Sequence, residues 1–353
     1  MTFYQALQLN AKGSKDLIRR TKNPKERRKW ELIYLFKVLL TVAFCFFFVT
    51  GFSIVFGSDN SIAGVSVLLI LLLVRQADFG INMKSSLLAV FLLFVILAAG
   101  PRAANMLPPA GAFFLHIICI FAITLLGCHN IIMSNHFTFV LSYLLLYGYD
   151  VSGKAFTLRL YALAVGFMMC ALVFYKSHRK QHFKRGLRHL LDELDLNSSR
   201  TQWQIRISLA TASAMFVASL LGIPRVMWIG IACMSIMTPL IKDCTYRELR
   251  RAPFNIAGGV LFLILYHFLP DWMFPYLGII GGIGVGFSAS YAFQNIFNAL
   301  GALMIASSIF GPVPAVILRV FANAFATVYC IGFNAVWEGI RNAVTLKKVK
   351  NPI

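Results

Sequence analysis

Two arginines stand at matched places in apolar surroundings. Leu158-Arg159-Leu160-Tyr161-Ala162, with Cys170 downstream, returns 160 positions later as Leu318-Arg319-Val320-Phe321-Ala322, with Cys330 downstream. A guanidinium within a hydrocarbon-like stretch is costly, so it either snorkels to an interface, pins helix-end carbonyls or binds something anionic. Its planar fork suits carboxylates. Lys37 and Arg206 form a second matched pair, each near the start of an apolar segment. They read either as ordinary interfacial anchors or as a basic vestibule that concentrates anions. His116, His136 and His267 are the titratable groups deepest in apolar sequence, and a histidine can exchange a proton in the physiological range. They show no matched spacing, so structural hydrogen bonding is the simpler role. Asn295, Asn298 and Asn323 add neutral polar groups for helix pairing or substrate contact. No acid lies centrally in an apolar segment: Asp78, Asp150, Asp243, Glu248, Asp271 and Glu338 all fall in loops or at ends. Proton- and cation-coupled carriers commonly use intramembrane carboxylates, so the pattern points to anions.

The elements that must hold these groups are membrane helices. Hydrophobic residues make up 59% of the chain and charged residues 13%, which excludes an ordinary soluble domain. Apolar runs such as 34–56 and 155–175 are long enough to cross a hydrocarbon core of about 30 Å. The expected segments are 34–56, 61–76, 84–100, 110–128, 135–148 and 155–175, then 204–222, 226–241, 252–269, 274–290, 291–310 and 314–337. Segments 61–76 and 135–148 are short, so tilted, broken or re-entrant helices are expected among them.

The two sets align in order. The basic loop from Arg75 to Lys84 matches the one from Lys242 to Arg251 at an offset of 167, and prolines precede the fourth and tenth segments (Pro101, Pro108 and Pro109; Pro270 and Pro275). The expected fold is an all-α polytopic membrane protein. It has two parallel repeats of six helices with pseudo-twofold symmetry about the membrane normal, and a pathway near that axis. The expected domains are a basic N-terminal segment (1–33), a first repeat (34–176), a linker helix (177–202), a second repeat (203–338) and a basic tail (339–353). The linker helix rests on Phe183, Leu187, Leu191 and Leu194 at helical spacing.

A formal net charge of +20 invites a nucleic-acid reading, but its distribution argues otherwise. Lysines and arginines cluster before Tyr34, between Lys176 and Arg200, and at the C-terminal end, where the positive-inside rule retains cations in the cytoplasm. Both termini are therefore expected to be cytoplasmic, in the plasma membrane. No nucleic-acid partner is expected, and anionic lipid headgroups are the partners such clusters attract. The first thirty residues have no separate apolar core of the kind a cleavable signal peptide carries. Seven scattered cysteines without a CxxC pair indicate neither a disulfide framework nor a metal site. No cofactor motif or hydrolytic constellation appears, so no cofactor and no enzyme activity is expected. Gly278, Gly282 and Gly286 share a helical face suited to close packing.

The duplicated six-segment blocks, the basic loop after the second segment of each and the Leu-Arg motif opening the last segment together resemble the fusaric-acid-resistance superfamily, which includes aromatic acid exporters. The stretch from His136 to Gly148 resembles that family's short fifth span. The resemblance covers about residues 30–340. It implies efflux of aromatic carboxylates and related organic anions, and plant aluminium-activated malate channels look like distant architectural relatives. Arg159, Arg319, Lys37, Arg206, His116, His136, Asn295 and Asn323 are the expected pathway residues. The alternatives are an anion channel or a lipid-associated membrane protein without coupled transport. Assembly into homo-oligomers is compatible with either.

Overall fold

The computed structural model describes the backbone from Met1 to Lys350 and side chains to Ala343. Among the described residues it is helical throughout, with no strand. Each of the twelve expected segments falls on a helix. The helices are α1 (Phe3–Gln8), α2 (Ala11–Arg20), α3 (Pro24–Phe56), α4 (Ser61–Val74), α5 (Met83–Met106), α6 (Pro109–Gly127), α7 (His136–Gly148) and α8 (Gly153–His178). They continue with α9 (Arg188–Asp192), α10 (Ser199–Leu220), α11 (Val226–Ile236), α12 (Ile241–Phe268), α13 (Leu277–Phe287), α14 (Tyr291–Phe310) and α15 (Pro312–Lys350). Seven of them, α3, α5, α6, α8, α12, α14 and α15, are long and apolar enough to cross a membrane.

Matched elements differ in length: α6 has 19 residues against 11 in α13, and α7 has 13 against 20 in α14. The basic stretch Lys242 to Arg251, expected as a loop like Arg75 to Lys84, is instead the start of the 28-residue α12. Its Asp243 sits in the first turn, where the helix dipole favours an acid. The linker differs as well. Only Arg188–Asp192 is helical between α8 and α10, because the segment before it is strapped to α5: Asn82 N–H donates to Arg185 O at 2.7 Å, and Leu187 N–H donates to Ser85 Oγ at 3.1 Å. Backbone groups committed to a neighbour cannot close helical turns. Leu190 is buried there, whereas Phe183 and Leu191 are exposed. The tail expected at 339–353 continues α15 as helix as far as Lys350, and its Lys347, Lys348 and Lys350 side chains lie outside the described residues.

Two compact units emerge. One contains Met1–Phe48 and Leu249–Ala324. In it, α13 packs on α14, and its glycines permit this. A methyl at Gly281 would stand 2.8 Å from the Phe297 carbonyl, and one at Gly286 would meet Val38 of α3 at 2.7 Å. Tyr34 Oη donates to Gly286 O at 2.9 Å. Of the glycine face expected from sequence, Gly282 and Gly286 lie against Val42 and Val38 of α3, whereas Gly278 faces Gly301 of α14.

The other unit contains Val49–Glu248 and the chain from Phe325 onward. Here α10 packs on α6 and α11, α5 on α6, α7 and α8, and α4 on α7 and α8. Phe79, Phe139 and Phe174 fill its centre, with Phe79 stacked on Phe174 at 5.3 Å. Ala162, Gly166 and Cys170 form a small-residue stripe on α8, and Val67 of α4 lies where a Gly166 methyl would project. This is the close approach membrane helices favour when no aqueous driving force holds them together.

Candidate functional site

Three short helices dominate the polar chemistry of the second unit. At about 1.5 Å per residue, α4, α7 and α11 extend roughly 21, 20 and 17 Å, less than a hydrocarbon core. Their ends stop among other helices, and the terminal carbonyls need partners there. Side chains from neighbouring helices supply them. His178 Nε2 lies 3.0 Å from Val74 O at the end of α4. Asn105 Nδ2 donates to Tyr147 O of α7.

Arg159 belongs to this class. It is 3% exposed. Nε donates to Asn60 Oδ1 at 3.0 Å, Nη1 to Tyr149 O at 2.7 Å and Nη2 to Asp59 O at 3.1 Å. Asn60 in turn donates to Phe56 O and Ala155 O. Gly57, at φ 89°, provides the left-handed turn that swings this corner back toward α8. One guanidinium therefore ties the end of α3, the start of α4, the end of α7 and the start of α8. Of the three roles open to it in sequence, this geometry carries the pin.

Arg206 is placed differently. It lies in α10, 4% exposed, and Nη2 donates to Thr238 O and reaches Cys244 Sγ at 3.7 Å. Two neighbours complete the end of α11: Trp203 Nε1 donates to Met237 O at 2.8 Å, and Arg247 Nη1 donates to Ser235 O at 2.9 Å. Two cations at a helix C-terminus also complement its dipole. Yet Arg206 Nε is buried without a hydrogen-bond partner among the described residues. His136, 0% exposed, has both ring nitrogens in the same condition and stands edge-on to Trp203 at 4.9 Å. Arg247 lies over Phe137, the residue after it, at 4.5 Å. Asn135 and Gln204 spend their amide groups on the end of α6, at Gly127 O and Thr124 O, and keep Oδ1 and Oε1 unpartnered. A buried polar atom without a partner costs about 1–3 kcal/mol. The α7–α10–α11 cluster thus carries several such costs in one place.

The other expected residues are accounted for locally. His116 Nδ1 lies 2.8 Å from Tyr143 Oη and satisfies that buried phenol. Lys37 Nζ donates to Leu9 O and Ser14 Oγ and sits 4.8 Å over the Tyr34 ring, so it holds α1 and α2 on α3. In the unit containing Leu249–Ala324, Asn323 accepts from Arg251 Nε at 2.9 Å and donates to Arg319 O at 2.8 Å. Arg251 also donates to Tyr291 Oη. Arg319 is half-buried on α15, and Asn295 is buried on α14 with an unpartnered Nδ2. Arg247, Arg251, Trp203 and Gln204 were not anticipated as site residues. The arginines were read as loop cations, and nothing in local spacing marks Trp203 or Gln204 as facing α11 and α6.

Outside the apolar segments, Glu193 gathers a charged knot. It pairs with Arg185 at 2.8 Å and Arg200 at 3.0 Å, and its Oε2 lies 3.2 Å from His129 Nε2. Burial and the Arg200 and Arg185 cations lower the His129 pKa despite Glu193, so the imidazole is neutral near pH 7 and accepts from Arg200. Partial burial would raise the Glu193 pKa. The hydrogen bond from Arg200, the charge His129 carries once protonated at lower pH, and the charges of Arg185 and Arg200 outweigh it, and the net shift is downward.

Comparison with known families adds one match. Residues 213–333 match the model of the fusaric acid resistance protein-like family. Over that span the chain is similar to the family. The matched span contains Arg247, Arg251, Asn295, Arg319 and Asn323, whereas Arg159 and Arg206 precede it. No curated protein and no solved structure matches the chain.

Proposed function

We propose that this fusaric acid resistance protein-like chain exports organic anions of the aromatic carboxylate class across the plasma membrane. In this reading it comprises two parallel six-span repeats with cytoplasmic termini and performs no covalent chemistry. The observation that carries the reading is the α7–α10–α11 cluster: a buried arginine and a buried histidine with unused nitrogens. A carboxylate accepting from Arg206 Nε and a ring N–H of His136 would satisfy groups the protein leaves unpaired, and charge-assisted bonds of this kind are the strong ones. Half-helix ends at membrane depth are where transporters commonly place ion sites.

Support for an aromatic body comes from α15, where Phe325, Tyr329, Phe333 and Trp337 stack at four-residue spacing with centroids 6.2, 6.4 and 6.3 Å apart. These half-buried faces form a continuous stacking track. Flux into proteoliposomes tests the proposal, using aromatic and aliphatic carboxylates with and without a pH gradient. Saturable flux with aromatic preference is expected. Unsaturable current that follows voltage would assign a channel instead, and no anion flux at all would refute transport.

A further inference from the structure

The N-terminal end of α3 carries a feature that transport does not use. Lys25, Arg28, Lys29 and Leu32 recur at three- and four-residue spacing, so they form one stripe, and Ile33 and Phe36 extend it. The stripe changes character within about 12 Å along the helix: exposed cations at the top, apolar side chains below. α1 closes one side. Lys37 anchors it through Leu9 O and Ser14 Oγ, and the Phe3 ring reaches Phe36 at 6.3 Å. The result is an open groove of about 460 Å³ lined by Phe3, Lys25, Arg28, Lys29, Leu32 and Ile33. The nearby Arg27–Glu31 pair lies outside this lining, and no acid lines it.

The depth of the groove follows from the helix itself. α3 has 33 residues, about 50 Å, and a span uses roughly 20 of them. The charged turns before Leu32 therefore stand at the headgroup level, where Trp30, with Lys29 5.5 Å from its ring, is a typical interfacial residue.

We infer that this groove binds one anionic phospholipid of the adjoining leaflet, with its phosphate among Lys25, Arg28 and Lys29 and an acyl chain along Phe3, Leu32 and Ile33. Three cations above an apolar floor match an anionic head on a hydrocarbon tail. A soluble anion would have no use for the floor, and a zwitterionic lipid gains less from the cations. The site would fix α1 and α3 at the membrane surface.

Native mass spectrometry of the full-length protein in detergent tests this, with phosphatidylglycerol, phosphatidylcholine and glycerol phosphate as probes. The wild type should retain phosphatidylglycerol over phosphatidylcholine. Each basic side chain at a membrane surface is worth roughly fivefold, so K25Q/R28Q/K29Q should lower that retention at least about tenfold. The variant K12Q/K15Q/R19Q, which removes as many charges from α2, should stay within about twofold of wild type. Leu32→Asn should weaken phosphatidylglycerol while leaving any glycerol phosphate binding unchanged. If the triple groove variant fails to fold, the single Arg28→Glu substitution carries the same expectation of lost retention. Equal losses from the α2 variant would mean diffuse charge attraction and overturn the site. Unchanged retention in the groove variants, or glycerol phosphate competing as well as the lipid, would overturn it too. The readout is lipid retention, so its failure leaves the transport proposal standing, and the reverse also holds.

Discussion

Arg159 and Arg206 are both buried cations on long helices of the same unit, and both cap the ends of short ones. The contrast lies in what remains after capping. Arg159 spends Nε, Nη1 and Nη2 on Asn60, Tyr149 and Asp59. Arg206 holds Thr238 O and Cys244 Sγ through Nη2, and its Nε is left over beside a cluster that includes an unpaired His136. Burial of a charge in a membrane protein therefore does not by itself mark a binding site. Unspent hydrogen-bond capacity is what the proposed site adds, because only there can a ligand repay a cost the fold already carries.

That contrast is broken most directly at Arg159. Replacing it with Leu strands the Asn60 Oδ1, Tyr149 O and Asp59 O acceptors in a buried corner, and each buried acceptor left without a partner costs about 1–3 kcal/mol. Arg159→Leu should lower the thermal unfolding midpoint sharply and broaden the size-exclusion peak. Stability equal to wild type would show that Arg159 is no pin.

Arg206→Gln should have a smaller effect on folding and a larger one on anion handling. Losing a charge-assisted contact costs about 1.5–3 kcal/mol, roughly tenfold to a hundredfold in apparent affinity. Arg206→Lys should recover only part of it, since an ammonium keeps the charge without the fork. Concentration-dependent flux, normalised to inserted protein, measures both. A His136→Phe variant sharpens the assignment. It removes two unpaired nitrogens at similar volume, so stability should hold or rise slightly while anion affinity falls. Lower stability with unchanged affinity would give His136 a structural role.

The gentlest effect concerns the linker. The His129 and Glu193 pKa values both lie below their ordinary values in the folded protein. The unfolded linker therefore binds more protons than the docked one at acid pH. Docking stability is complete above the ordinary histidine value, near pH 6.5. It weakens first as pH falls below that through the His129 contribution, then further below about pH 4.5 as Glu193 protonates. Hydrogen exchange across residues 183–200, compared at pH 7.5 and 5.5 after correction for intrinsic rates, should show modestly faster opening at the lower pH. Slower opening on acidification would reverse the sign assigned to His129.

Much of the fold was legible because apolar run length is a direct physical requirement of a bilayer. All twelve segments fall on helices, although α11 and α13 are shorter than expected and seven of the described helices are long and apolar enough to cross a membrane, and 61–76 and 135–148 are short in the structure as in the sequence. The repeated motif around Arg159 was visible, but the small-residue stripe of Ala162, Gly166 and Cys170 was not read from it. The linker was not. Its leucine spacing suits a helix, yet hydrogen bonds to Asn82 and Ser85, about a hundred residues away, hold its backbone otherwise. Lys242 to Arg251 was misjudged for the opposite reason: a charged stretch looks like a loop, but it continues a helix that projects beyond the apolar part. At the site, residue type identified Arg206 and His136 as candidates. It could not reveal that every guanidinium nitrogen of Arg159 has a partner, because those partners, Asn60 and the carbonyls of Asp59 and Tyr149, come from other elements. Trp203, Gln204 and Arg247 became legible only once the buried ends of α6 and α11 were located.

The distinction between pin and site is tested most directly by one paired experiment. Wild type, Arg159→Gln and Arg206→Gln are reconstituted in proteoliposomes, the folded inserted fraction of each is quantified, and saturation of aromatic carboxylate flux is compared per folded molecule. Arg159→Gln should yield less folded protein with near-normal half-saturation. Arg206→Gln should yield nearly normal amounts of folded protein with half-saturation raised tenfold or more. If instead Arg206→Gln saturates like wild type while Arg159→Gln loses affinity per folded molecule, the assignment of roles to these two arginines is reversed.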